Sequence, residues 1–284
     1  MRLPKLSERA ARSGLLITGV ICSVIAVLLN VTSYWYGDAH LYWLVGPAQV
    51  YTGWFPGAHN YAYSPAFAEV MFVLRQQPWP TFSAMWTALQ FAALLWLMRS
   101  SPPRWRLPVL VIGLPDVLIG NIHVLLAVAI VLGFRYAGTW AFVLLTKVTP
   151  AVGLLWFVVR REWRSLSVAL GTTLAVALVA YLVAPDLWPR WIEILWQNRD
   201  AASIGFPYVP VLWRLPIAAI IVVWGALTDR RWAIPVAGVV AVPNFWFQSL
   251  SLLAAIGPLA EQAPAQALAS KALERSATTA APSS

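Results

Sequence analysis

The chain has 284 residues, of which 60% are hydrophobic and 11% charged, with a mean hydropathy of +0.69. A soluble domain carries about 25% charged residues, so this chain cannot cover a water-facing surface; a secreted disulfide scaffold, a soluble nucleotide-binding or barrel enzyme and a disordered chain are all excluded. Basic residues exceed acidic ones by 20 to 11. They are scattered at the ends of apolar runs rather than gathered on a polar face, which argues against a nucleic-acid partner. Seventeen tryptophans suit a membrane interface, where the indole N–H reaches water. The single cysteine, Cys22, cannot form an intrachain disulfide.

Residues 1–13 carry Arg2, Lys5, Arg9 and Arg12 and read as a cytoplasmic N-terminus. The run from Gly14 to Tyr36 is about 23 residues, long enough to span a bilayer. It is too long for a signal peptide and lacks a small-x-small cleavage site before Asp38, so a retained first helix is expected. Further apolar stretches cover 61–74, 81–98, 107–119, 121–134, 138–159, 165–184, 207–227 and 233–258.

Between them sit Arg99/Arg104/Arg106, Arg135, Arg160/Arg161/Arg164 and Arg230/Arg231, whereas 37–60 has no lysine or arginine. The positive-inside rule places 37–60 outside and the basic clusters inside. Stretches 107–119 and 121–134 rise only about 20 Å each at 1.5 Å per residue, short of a hydrocarbon core of about 30 Å. They predict a hairpin with its tip at Gly120-Asn121. Stretch 138–159 is divided at Lys147-Val148-Thr149-Pro150, because proline disfavours helix at the residue before it; a second broken hairpin with Lys147 near its tip is expected.

Two crossings in 61–98 would put Arg99 outside, so the proline-containing 61–74 is expected to be re-entrant. Segment 37–60 predicts an amphipathic interfacial helix, and 185–206 a second outer loop. The tail 261–284, rich in Ala, Ser, Thr and Pro, reads as disordered. The fold expected for 14–260 is an all-α polytopic membrane bundle of about 8–10 membrane helices, some broken, since broken helices persist at membrane depth where they are buried in protein or line a wet cavity.

Glu8, Glu162 and Asp229 lie in basic turns and read as local charge partners. Asp38 closes the first helix; it reads either as a cap of the following helix or as a general base at a cavity mouth. Glu69 and Asp116 fall inside apolar runs, where an ionisable group is by default a functional hypothesis. Asp116 follows Pro115 and could instead satisfy freed backbone amides. Lys147, one of three lysines, costs about 2.5–3.5 kcal/mol near a bilayer centre and so requires an anion, a wet cavity or an interface to snorkel to. Asn121 and His123 would converge with it if both hairpin tips face out, a set suited to phosphate. No metal-ligand spacing, nucleotide-binding loop or nucleophile elbow is present, and neither a metal nor another cofactor is expected.

The order of motifs resembles glycosyltransferase family 87, the polyprenol-phosphate-mannose-dependent membrane enzymes of the GT-C superfamily. The resemblance rests on Gly37-Asp38-Ala39-His40-Leu41-Tyr42, Tyr61-Ala62-Tyr63-Ser64-Pro65-Ala66-Phe67, Gly120-Asn121-Ile122-His123 and Thr146-Lys147-Val148-Thr149-Pro150, the last followed by Arg160-Arg161-Glu162-Trp163-Arg164. The family shows Tyr-Pro-Pro where this chain has Tyr63-Ser64-Pro65. It often has a histidine where Val242-Pro243-Asn244-Phe245-Trp246-Phe247-Gln248 ends in glutamine.

The resemblance implies a GT-C-like bundle in the plasma membrane with an extracytoplasmic active site. Asp38 would be the catalytic base, and His40, Tyr63, Asn121, His123 and Lys147 would bind substrate. The implied partners are a polyprenyl-phosphate sugar donor, with mannose expected, a lipid or glycan acceptor and membrane lipids. A non-catalytic relative or scaffold is the alternative. A transporter fits less well, since no matching halves with interrupted segments are found.

Overall fold

The computed structural model describes residues 5–32, 37–51, 61–197 and 209–260. Among them the regular elements are thirteen α-helices and three 3-10 segments, with no strand, so the protein is an all-α bundle. Helices α1 (Lys5–Thr32), α4 (Trp79–Arg99) and α9 (Trp163–Val183) are long and apolar enough to cross a membrane. Their outer faces carry Val31, Leu174 and Leu182 at 78%, 70% and 73% exposure, positions that lipid rather than water accommodates. The first helix starts before the apolar run at Gly14, because Ser7 to Arg12 contains good helix formers and no breaker.

The bundle has two chemically distinct ends. At the basic end, Arg104 pairs with Glu8 at 2.6 Å and Arg160 with Glu162 and Asp229 at 3.2 and 3.1 Å, the local pairings expected of those carboxylates. At the other end lies α2 (Gly37–Leu44), partly buried, with Tyr42 fully enclosed. Helix α3 (Pro65–Leu74) touches α2 from both directions. Phe67 in its first turn packs on Tyr42, and the Gln77 carbonyl just past its last turn accepts the Trp43 indole N–H at 2.9 Å. The ten residues of α3 rise about 15 Å, short of a hydrocarbon core of about 30 Å. Both of its ends stay against α2, and α4 is the next helix long enough to cross.

Helix α5 (Pro103–Ile119) leads from the basic end to Gly120, and α6 (His123–Gly133) runs back. Gly120 closes α5 with φ +77°, and the position where a Cβ would sit is filled by Ala39 of α2. Only glycine meets both demands at low cost. The Trp86 indole of α4 donates to the Gly120 carbonyl at 2.8 Å and fixes the turn from a third side.

After a 3-10 turn at Ala137–Thr139, α7 (Trp140–Thr146) stops at Lys147, whose backbone is extended. Pro150 has no N–H to continue the helical ladder. The chain resumes as a 3-10 segment, Thr149–Leu154, and α8 (Leu155–Val159). Helix α6 rises about 17 Å from the basic end and α7 about 10 Å at 1.5 Å per residue, so His123 and Lys147 meet part-way through the bundle.

Helix α10 (Leu187–Gln197) crosses the non-basic end, its Trp191 indole donating to the Ala62 carbonyl at 3.0 Å. Helix α11 (Val211–Leu227) then returns to the basic end. The apolar stretch 233–258 is not one helix but α12 (Ala233–Ala241), a turn at Val242-Pro243, a 3-10 segment Phe247–Ala255 and α13 (Ile256–Leu259). The physical reason is Pro243, which frees the last carbonyls of α12. Arg214 takes them up, donating to Val240 and Pro243 at 2.8 and 2.9 Å and to Val209 at 2.9 Å. A cation at a helix C-terminus also complements the helix dipole. Residues 52–60 of the segment 37–60, residues 198–206 of the expected outer loop 185–206 and the tail 261–284 lie outside the described residues.

Candidate active site

Five segments converge on one polar cluster on the non-basic side of the bundle. Asp38 comes from the first turn of α2, Asn121 and His123 from the α5–α6 turn, Lys147 from the break after α7, and Gln248 from the 3-10 segment. The aromatic wall comes from Tyr42 and Tyr63.

Asn121 accepts the Ile122 backbone N–H on Oδ1 at 2.7 Å, which leaves its Nδ2 to donate to Asp38 Oδ2 at 2.5 Å. Gln248 Nε2 approaches the same oxygen at 3.5 Å. Burial pushes the Asp38 carboxyl above its ordinary range; the Asn121 hydrogen bond and the nearby Lys147 charge oppose that rise without cancelling it. Asp38 and Lys147 are near enough for their charges to interact, yet they form no contact ion pair among the described residues.

Asp116 is fully buried. Its Oδ2 accepts the Val124 backbone N–H at 2.8 Å and its Oδ1 meets His123 Nδ1 at 2.9 Å. A carboxylate can only accept here, so Nδ1 carries the hydrogen and the lone pair of Nε2 faces Lys147 Nζ at 2.8 Å. The chain Asp116–His123–Lys147 thus spends one ammonium hydrogen on His123 and leaves two for another acceptor. The backbone amide that Asp116 satisfies is the Val124 N–H in the first turn of α6 rather than one freed near Pro115, and the same carboxylate orients the histidine that holds the lysine.

The expected residues divide by geometry. Asp38, Asn121, His123 and Lys147 come together. Asn121 turns its amide onto Asp38, and both His123 nitrogens are engaged, so Lys147 carries the free donors of the set. Tyr63 forms part of the wall: its hydroxyl shares a 2.8 Å hydrogen bond with Tyr42, and its ring packs on Phe67. His40 lies on the same short helix as Asp38 but its ring packs against Trp43 and Trp79, with centroids 5.8 and 4.7 Å away. Gln248 was legible only as the residue standing where the family often has a histidine; its approach to Asp38 spans 210 positions, which no local pattern encodes.

The fold and the cluster define a class: a membrane helix bundle that gathers a carboxylate, an amide, an imidazole and an ammonium at breaks in its helices. The chain belongs to glycosyltransferase family 87, whose family model matches residues 61–272, and it is a membrane glycosyltransferase. The matched region holds Tyr63, Asp116, Asn121, His123, Lys147 and Gln248, while Asp38 and His40 precede it. No curated protein and no solved structure matches the chain.

Proposed function

We propose that the protein moves a sugar, mannose by the family resemblance, from a polyprenyl-phosphate donor to a hydroxyl of a lipid or glycan acceptor on the extracytoplasmic side of the plasma membrane. The observation that carries this reading is the convergence of Asp38, Asn121, His123 and Lys147 on the side away from the arginine clusters, with Asp38 and Lys147 close enough for their charges to interact without a contact ion pair. The positive-inside rule makes that side extracytoplasmic.

In this reading Asp38 Oδ1 takes the proton of the acceptor hydroxyl as its oxygen attacks the anomeric carbon. The bond from that carbon to the phosphate oxygen breaks on the opposite face, and polyprenyl phosphate leaves as the anion. Inversion follows from the single displacement. The transition state is oxocarbenium-like, as in glycoside hydrolysis, and the leaving phosphate needs no proton. Lys147 meets the phosphate with its two free hydrogens, His123 and Asp116 hold the ammonium in place, and Tyr63 with Tyr42 walls the sugar from the bilayer.

The test is incubation of purified protein with polyprenyl-phosphate mannose or glucose and mixed membrane lipids. A new glycolipid of inverted anomeric configuration is the expected product. Retained configuration would rule out the single displacement, and a monodisperse protein that transfers from neither donor would favour the scaffold reading.

A further inference from the structure

Gln248 is 3% exposed. The backbone around it is firmly held: the Ser249 N–H bonds the Trp246 carbonyl at 2.8 Å, and the Trp246 N–H reaches Ser249 Oγ at 3.4 Å. Its amide orientation is decided by its neighbour, since Oε1 turned to Asp38 would set two acceptors against each other. Nε2 therefore faces Asp38 Oδ2, and Oε1 is left buried with no hydrogen-bond partner. An unsatisfied buried carbonyl oxygen costs about 1–3 kcal/mol. A side chain whose only task was packing would carry no such cost, because methionine has the same reach and no polar atom to strand.

We propose that Gln248 is a positioning residue for Asp38: together with Asn121 it holds Oδ2, so that Oδ1 is the oxygen presented to the acceptor hydroxyl. Two amides from opposite parts of the chain converge on one carboxylate oxygen. Asn121 approaches from the α5–α6 turn, and Gln248 from the 3-10 segment that Arg214 and Pro243 set in place. The 3.5 Å separation is long, as hydrogen bonds to a catalytic group often are before substrate binds. The inference rests on the reading of Asp38 as the base and adds the residue that orients it. The other ionisable groups acting on Asp38 are Lys147, His123 and Asp116, with Tyr42 and Tyr63 in the adjoining wall; none is altered by a change at position 248.

The experiment compares the parent protein with Gln248→Met, Gln248→His and Asp38→Asn, following polyprenyl phosphate release from polyprenyl-phosphate mannose across pH, alongside thermal stability. Gln248→Met keeps shape and removes the donor. The expected result is an unchanged or raised Tm, a kcat about tenfold lower, an unchanged donor KM and an acidic limb of kcat/KM moved up by roughly half to one pH unit. Gln248→His, which restores an N–H, returns kcat most of the way. If Gln248→Met is not monodisperse, Gln248→Asn, one methylene short of Asp38, replaces it with the same expectation for kcat and the acidic limb.

A Gln248→Met protein with parental kcat and pH profile, while Asp38→Asn is inactive, would overturn the positioning role and leave the base intact. Full activity in Asp38→Asn would instead overturn the reading of Asp38 on which the inference depends.

Discussion

Asp116→Asn isolates the orientation of His123 from the integrity of the fold. The native carboxylate accepts twice, from Val124 N–H at 2.8 Å and from His123 Nδ1 at 2.9 Å. An asparagine keeps one acceptor, which the backbone N–H claims, and turns an NH2 toward His123. Nδ1 must then become the acceptor, the ring hydrogen moves to Nε2, and Nε2–H points at the Lys147 ammonium it formerly accepted from at 2.8 Å. A hydrogen bond to a charged group contributes about 1.5–3 kcal/mol. Losing it without loss of the fold corresponds to a fall of roughly 10- to 150-fold in kcat/KM.

The comparison variant is Asp116→Ala, which strands both donors at about 1–3 kcal/mol each and should lower Tm far more than Asp116→Asn does. The assay is donor-dependent release of polyprenyl phosphate, with Tm measured on the same preparations. Parental kcat/KM in a well-folded Asp116→Asn protein would refute the claim that the Asp116–His123–Lys147 chain sets the anion site. Loss of activity only in step with loss of Tm across both variants would reduce Asp116 to a structural role.

Other outcomes follow from the same geometry. Lys147→Met should reduce turnover by at least about 100-fold and raise the donor KM. Lys147→Arg should recover little, because a planar guanidinium cannot occupy the place of a compact ammonium against His123; parental kinetics in either would remove Lys147 from the site. The raised Asp38 carboxyl predicts that the acidic limb of kcat/KM lies above the ordinary aspartate value of about 3.9. Activity is full above that limb and is lost as pH falls and the base is protonated. An acid limb at or below the ordinary value would contradict the burial seen here. Gly120→Ala places a methyl at φ +77° against Ala39, at a conformational cost of about 1–2 kcal/mol before any clash. It should lower Tm and, by displacing α2, lower kcat; an unchanged Tm would count against this packing.

Much of the architecture was legible because hydrocarbon imposes a simple rule, that long apolar runs become helices. The arginine clusters mark one end and 37–51 the other, and the proline-divided run 138–159 turns back instead of crossing, bringing Trp156 and Phe157 against Phe134. The set Asp38, Asn121, His123 and Lys147 was readable because polar residues at breaks in apolar helices have few other places to go.

What the sequence hid is relational. The two-acceptor placement of Asp116 needs the α5–α6 turn in three dimensions. The facing of Asn121 toward Asp38 depends on a backbone N–H claiming its other end. The division of 233–258 at Pro243 depends on Arg214, from another helix, being there to take the freed carbonyls. His40 shares the Asp38 motif, but two positions along a helix point about 200° apart around its axis, so the spacing itself sends His40 to the aromatic cluster of Trp43 and Trp79.

The measurement that bears most directly on this account is polyprenyl phosphate release by the purified protein and by Asp38→Asn, with polyprenyl-phosphate mannose as donor and mixed membrane lipids as acceptors. The account predicts release by the parent and its loss, by about 100-fold or more, in a variant of equal Tm. Equal release by the two would keep the transferase and remove Asp38 from its centre.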